Sequence, residues 1–142
     1  MSANLARKIY FCGSIRGGRD DIHIYKHIID QLRGYGEVLT EHVGDVVAQE
    51  EELGDDCYIY ERDMKWLMSS DAVVAEVTQP SLGVGFEIAK AHEYKKKVLC
   101  LYRPKPQSRL SAMIRGAHSS PNFIVKDYKE EDLPQILKEF FD

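Results

Sequence analysis

Short apolar runs bounded by turn residues alternate with amphipathic segments along most of the chain. The apolar runs fall at 8–12, 37–40, 72–77, 98–102 and 123–125. Helical spacing of apolar residues appears at 20–33, 57–68, 84–94 and 130–141, with a shorter candidate at 110–115. Strands separated by helices pair in parallel, so the pattern predicts a doubly wound α/β fold with five parallel strands and helices on both faces. Sheets of this kind take ligands beyond the carboxyl ends of their strands, where the strand order reverses. The segments after the first and third strands are therefore the places to search for function.

The 142 residues are expected to form one domain, since 44% are hydrophobic and 30% charged, enough to build a core. Residues 1–7 read as a tail. A formal net charge of -4 argues against a long nucleic-acid polymer as partner. Cys12, Cys57 and Cys100 are widely spaced in mostly apolar surroundings and are expected to be buried, reduced thiols of an intracellular protein. The start, MSANLARK, lacks the apolar stretch of a secretory signal, and no run approaches the roughly 18 apolar residues of a membrane span. A cytosolic or nuclear protein without membrane contact is the expectation. The stretch 44–56 holds six acidic residues and two glycines, which favours a solvated, mobile loop over a metal site; its length also suits a flap.

Two carboxyl groups sit where a helix should be apolar. In GVGFEIAKAHEY, Val84, Ile88 and Ala91 share one helix face, and Glu87 lies on it. Desolvation of that carboxyl would be offset in part by the free N–H groups and positive dipole end of the helix start. A capping role and a functional role both remain open for it. In YERDMKWL, Tyr60, Met64 and Leu67 make an apolar stripe on which Asp63 intrudes in mid-helix, where no cap explains it. Glu61, Arg62 and Lys65 read as the solvated face. Paired inward carboxyls are the equipment of glycosidic cleavage, one at the anomeric carbon and the other protonating the leaving group.

The two turn segments read as an anion cradle. Ser14 and Arg16 offer a hydroxyl and a charged fork for one terminal phosphate, with Gly13, Ile15 and Gly17 along the same approach. Ser81 and the backbone from Leu82 through Gly83 to Val84 open the helix that carries Glu87, a ready place for an anion. GSIRGG is neither a Walker A sequence nor a dinucleotide fingerprint, which favours a single small phosphate over a triphosphate or NAD. His42, just past the second strand, faces either the same crevice or solvent.

Taken together, YFCGSIRGG at 10–18, ERDMKWL at 61–67, AEVTQPSLGVGFE at 75–87 and LSAMIRG at 110–116 resemble the nucleoside 2-deoxyribosyltransferase family, in matching order and spacing. The resemblance weakens only in the acidic stretch. It implies a flavodoxin-like, Rossmann-like sheet in a homodimer that hydrolyses deoxynucleoside monophosphates to free base and 2-deoxyribose 5-phosphate, with no metal and no organic cofactor. It further implies Glu87 as nucleophile, Asp63 as the acid and Tyr10 as a positioning hydroxyl. Ser14, Arg16, Ser81 and Gly83 would surround the 5′-phosphate, and Ser111 would reach the phosphate of the neighbouring subunit. Base exchange by a deoxyribosyltransferase, and nucleotide binding without catalysis, are the alternative readings.

Overall fold

The computed structural model describes residues 7–14, 21–40 and 55–142. Five parallel strands form one sheet in the order β2-β1-β3-β4-β5. They are β1 (Lys8–Gly13), β2 (Glu37–Leu39), β3 (Ala72–Glu76), β4 (Lys97–Tyr102) and β5 (Phe123–Asp127). The helices are α1 (Ile22–Leu32), α2 (Asp56–Ser69), α3 (Leu82–Glu93), α4 (Ala112–Arg115) and α5 (Leu133–Phe141). The predicted fold class is thereby borne out.

Alternation along the strands divides the core in two. Ile9, Phe11, Val74, Leu99 and Leu101 face α1 and α5, meeting Tyr25, Ile28, Leu32, Leu133, Leu137 and Phe140. Tyr10, Cys12, Val73, Ala75, Val98 and Cys100 face the other way, against Leu67 of α2 and Val84, Ile88 and Ala91 of α3. The stripe expected on α3 is therefore buried as read. On α2 only Leu67 is fully buried; Tyr60 stays exposed, its ring edge-on to Phe86 at 6.0 Å rather than against the sheet.

Element ends depart from expectation for local reasons. The third helix begins at Leu82 rather than Val84, because the Ser81 hydroxyl caps it by accepting the Val84 N–H at 3.2 Å. The predicted helix 130–141 starts with a 3-10 turn at Glu130–Asp132. Pro134 has no N–H to return to the preceding turn, so α-helical bonding opens after it. Strand β2 stops at Leu39 because Thr40 takes a positive φ of 67° and donates its hydroxyl to the Phe11 carbonyl. Strand β5 continues through the polar Lys126 and Asp127, which pair with Leu101 and Tyr102. Among the three thiols, Cys12 and Cys100 are buried but Cys57 is exposed on α2. No helix among the described residues is long and apolar enough to cross a membrane.

One glycine is demanded by close approach. A Cβ on the buried Gly36 would meet the Arg7 carbonyl oxygen at 2.6 Å, beside the Glu37 N–H that the same oxygen accepts at 2.9 Å. Gly36→Ala is expected to lower stability by about 1–3 kcal/mol, read as a shift in the urea midpoint at unchanged slope.

Candidate active site

Strands β1 and β3 are neighbours, with Tyr10 opposite Val73 and Gly13 opposite Glu76. The first crossover to β2 runs one way and the later strands run the other, so the reversal of strand order lies between β1 and β3. Both turn segments singled out in the sequence leave the sheet at this edge.

Tyr10 is buried, and its hydroxyl donates to Glu87 Oε2. Glu87 is the sixth residue of α3, beyond the free N–H groups of the first turn, so its partner is this phenol and not the helix end. Burial pushes the Glu87 carboxyl up from 4.5 to about 7; the Tyr10 hydrogen bond and Arg62 oppose the shift, while the Asp63 charge adds to it. Burial also raises the Tyr10 hydroxyl well above its ordinary value, with Glu87 and then Asp63 adding to the shift, so Tyr10 stays a proton donor. Cys12 is raised by burial and by the same two carboxyls. Tyr10, Glu87 and Asp63 thus form one electrostatic cluster.

Arg62 belongs to this cluster too, which corrects its assignment to the solvated face. Its Nε and Nη2 both donate to Asp63 Oδ1, at 3.0 and 2.9 Å. Its side chain is only 15% exposed and its guanidinium stacks 4.9 Å from the Trp66 ring, so the fork is held in place. Glu61 and Lys65 are exposed, as expected. Nothing in the spacing separated Arg62 from its neighbours; the ring four residues on was the available signal.

The phosphate half is described in part. Ser14 is buried just past β1, its N–H donating to the Tyr25 hydroxyl at 3.0 Å. Gly13 lies against the Tyr25 ring, which a Cβ would meet at 2.8 Å. Ser81 caps α3, and among the described residues a Cβ on Gly83 would come no closer than 3.9 Å, to Ser81 Oγ, and one on Gly85 would meet nothing within 4 Å. Glycine costs about 1 kcal/mol in a helix relative to alanine, and packing among the described residues does not require either residue. Ile15, Arg16, Gly17 and His42 lie outside the described residues, as do residues 1–6 of the tail and most of the acidic stretch, 44–54.

A predominantly apolar groove of about 820 Å³ runs between α3 and the segment around α4, bordered by Ser81, Leu82, Gly85, Ser111 and Met113. Tyr10, Asp63 and Glu87 do not line it. Ser111 caps α4 through the Met113 N–H at 3.2 Å. Leu82 is 97% exposed and Met113 82%, so the rim of the groove is bare apolar surface.

The nucleoside 2-deoxyribosyltransferase family model matches residues 9–130. A Nematostella vectensis protein provisionally named 2′-deoxynucleoside 5′-phosphate N-hydrolase 1 is 69% identical, over 99% of this chain and 98% of its own. The 5-hydroxymethyl-dUMP N-hydrolase of Tetraodon nigroviridis is 53% identical over 94% of this chain and 96% of its own. A conserved protein of Enterococcus faecalis V583, 20% identical, superposes with a TM-score of 0.65 over 94% of this chain and 98% of its own, a likeness of fold.

The raised Glu87 carboxyl has a consequence for stability. The folded chain keeps its proton up to about pH 7, whereas the unfolded chain releases it near 4.5, so stability falls as pH rises through that window. Glu87→Gln is expected to melt above the wild type at pH 8, by at most about 2–3 kcal/mol, with the gap closing toward pH 4. A pH-independent gap in the melting curves would contradict this.

Proposed function

The chain belongs to the nucleoside 2-deoxyribosyltransferase family, and on that premise we propose that it hydrolyses the N-glycosidic bond of 2′-deoxynucleoside 5′-monophosphates. The products are a free base and 2-deoxyribose 5-phosphate. The relatives' names support the reaction, and the observation in this chain that supports it most is the buried Tyr10–Glu87 hydrogen bond with Asp63 acting on both groups.

Glycosidic cleavage needs electrons at the anomeric carbon and a proton on the departing nitrogen. Glu87 is the nucleophile: its oxygen bonds to C1′ as the C–N bond breaks, and the electron pair leaves with the base. Asp63 supplies the proton to that base. Water then attacks C1′, gives a proton back to Asp63 and frees Glu87. In the resting site burial favours a proton on Glu87. Positive charge developing at C1′ favours ionised Glu87 and moves that proton to the Asp63 side. Tyr10 fixes the attacking carboxyl throughout. A 2′-hydroxyl would crowd Glu87 and destabilise the cationic sugar, so ribonucleotides are poor substrates.

Ser14, Arg16, Ser81 and Gly83 bind the 5′-phosphate, and Gly13, Ile15 and Gly17 contribute to the same contact. The open space at Gly83 supports close approach of an anion to the backbone. The expected assay result is base release from 5-hydroxymethyl-dUMP and other monophosphates at least about 100-fold faster than from the matching nucleosides. Equal rates would remove the phosphate assignment. Glu87→Gln should lower turnover by about a thousandfold while substrate binding persists, and retained turnover would remove the nucleophile.

A second copy of the chain covers the apolar groove and brings its own Ser111 to the phosphate. Bare Leu82 and Met113 beside Ser111 support this arrangement. Solution mass should correspond to two chains. Mixing Glu87→Gln with Ser111→Ala protein should restore activity, because a mixed dimer then holds one site with neither defect. Additive loss without recovery would place Ser111 in its own chain's site or outside catalysis.

A further inference from the structure

Two guanidinium groups are given to carboxyls near the strand ends, and they differ in what they hold. Glu76 closes β3 on the sheet face opposite Glu87 and is wholly buried. Its carboxyl accepts the Thr78 N–H and hydroxyl, each at 2.8 Å, the Tyr128 hydroxyl, and Arg103 Nε at 3.1 Å. Arg103 also pairs with Asp21 at 2.7 Å, so this second polar cluster ties distant segments of the chain together.

Arg62 is arranged otherwise. It directly precedes Asp63 on α2, and its two donors converge on the single oxygen Oδ1. Side chains at i and i+1 of a helix do not face one another, so the guanidinium has to be held across to its neighbour. Two rings hold it. The guanidinium carbon lies 4.9 Å from the Trp66 ring centroid and 5.9 Å from that of Tyr58. Tyr58, Arg62 and Trp66 follow one another at helical i, i+4 spacing, so the cation is flanked by a ring from the turn before and one from the turn after. The helix itself gives the acid little support, since Leu67 is the one residue of α2 that is fully buried.

The same cation reaches the nucleophile. Its charge opposes the upward push of burial on the Glu87 carboxyl, to which Asp63 adds. Around the two carboxyls stand Tyr10 and Cys12 from β1, with Cys100 of β4 acting on Cys12, and Arg62 from α2. Of these groups Arg62 alone is a cation.

We propose that Arg62 is a positioning residue for proton transfer to the departing base: it commits Asp63 Oδ1 to two donors, leaves the proton to travel on Oδ2, and stabilises the carboxylate formed when that proton is given away. This rests on the reading of Asp63 as the acid. In the step, the C1′–N electron pair goes to the base, the base takes the proton, and the pair of the broken Oδ2–H bond stays on Asp63. The charge that develops there meets a guanidinium already in place, so no reorganisation is needed at the moment of reaction. When water opens the intermediate, its proton returns to Oδ2.

The test compares two substrates. The base of a deoxynucleoside monophosphate is protonated as it leaves, whereas 4-nitrophenyl 2-deoxyribose 5-phosphate releases a stable anion that needs no proton. Arg62→Gln is expected to lower kcat/KM about thirtyfold for the monophosphate and less than about threefold for the nitrophenyl compound. The ratio of the two rates does not depend on how much of the variant folds, so a loss of stability cannot imitate it. Carboxyls that have lost a neighbouring cation hold their protons more firmly, so both limbs of the pH–rate profile on the monophosphate should move up by about half a pH unit or more. Arg62→Lys keeps the charge but not the fork; its limbs should stay in place and part of the rate should return. Trp66→Leu, which unseats the guanidinium without removing it, should separate the substrates in the same sense by about fivefold. Asp63→Asn checks the underlying reading. If it separates the two substrates and Arg62→Gln does not, the proposal is wrong and the acid reading survives. If Asp63→Asn fails to separate them, the acid reading falls and takes the proposal with it. Limbs that stay in place in Arg62→Gln overturn the proposal on the monophosphate alone.

Discussion

The pairing of β1 with β3 is the constraint on which the rest of the molecule depends. Five consecutive registers, from Ile9 opposite Ala72 to Gly13 opposite Glu76, bring two segments more than sixty residues apart to one edge. Tyr10 points to one face and Glu76 ends on the other, so one hydrogen-bonded ladder sets both polar clusters. A slip of one residue would exchange the faces of every side chain along the strand. The phenol that meets Glu87 would then point into the apolar layer beneath α1.

The two clusters treat buried carboxyls in opposite ways. Glu76 is given a guanidinium and three further donors, and Arg103 in turn is held above its ordinary value by Glu76 despite the opposing effect of burial. Glu87 receives one neutral phenol, which only partly opposes the rise in proton affinity that burial and the nearby Asp63 charge bring about. Fully satisfied polar groups hold geometry, and an under-satisfied one is poised to change charge. One sheet face thus carries a fully paired network, and the other a carboxyl whose proton affinity is raised.

Strand and helix centres were legible because they rest on local period, as in the burial of Val84, Ile88 and Ala91 on α3. Ends were less legible, since they depend on partners. Lys97, Lys126 and Asp127 look like loop residues yet extend strands because a neighbouring strand is there to bond them. Asp63 and Glu87 stood out as carboxyls on apolar stripes, but that Glu87 meets Tyr10, 77 positions away, no spacing shows. Glu76 went unremarked for the same reason: Arg103 and Tyr128 lie 27 and 52 positions from it. Arg62 was hidden differently, behind exposed charged neighbours on the same helix.

Ser81 illustrates how a helix start can be made ready in advance. As the cap of α3 its oxygen accepts the Val84 N–H, which occupies a lone pair and leaves the hydroxyl proton unused by that bond. An anion arriving at this turn can accept that proton without dismantling the cap. The cap is established when the chain folds, and Glu87 follows it within two turns of the same rigid helix. In the proposed reaction, recognition at one end of the substrate and chemistry at the other would be joined by a stiff lever of fixed length, which measures the distance between them.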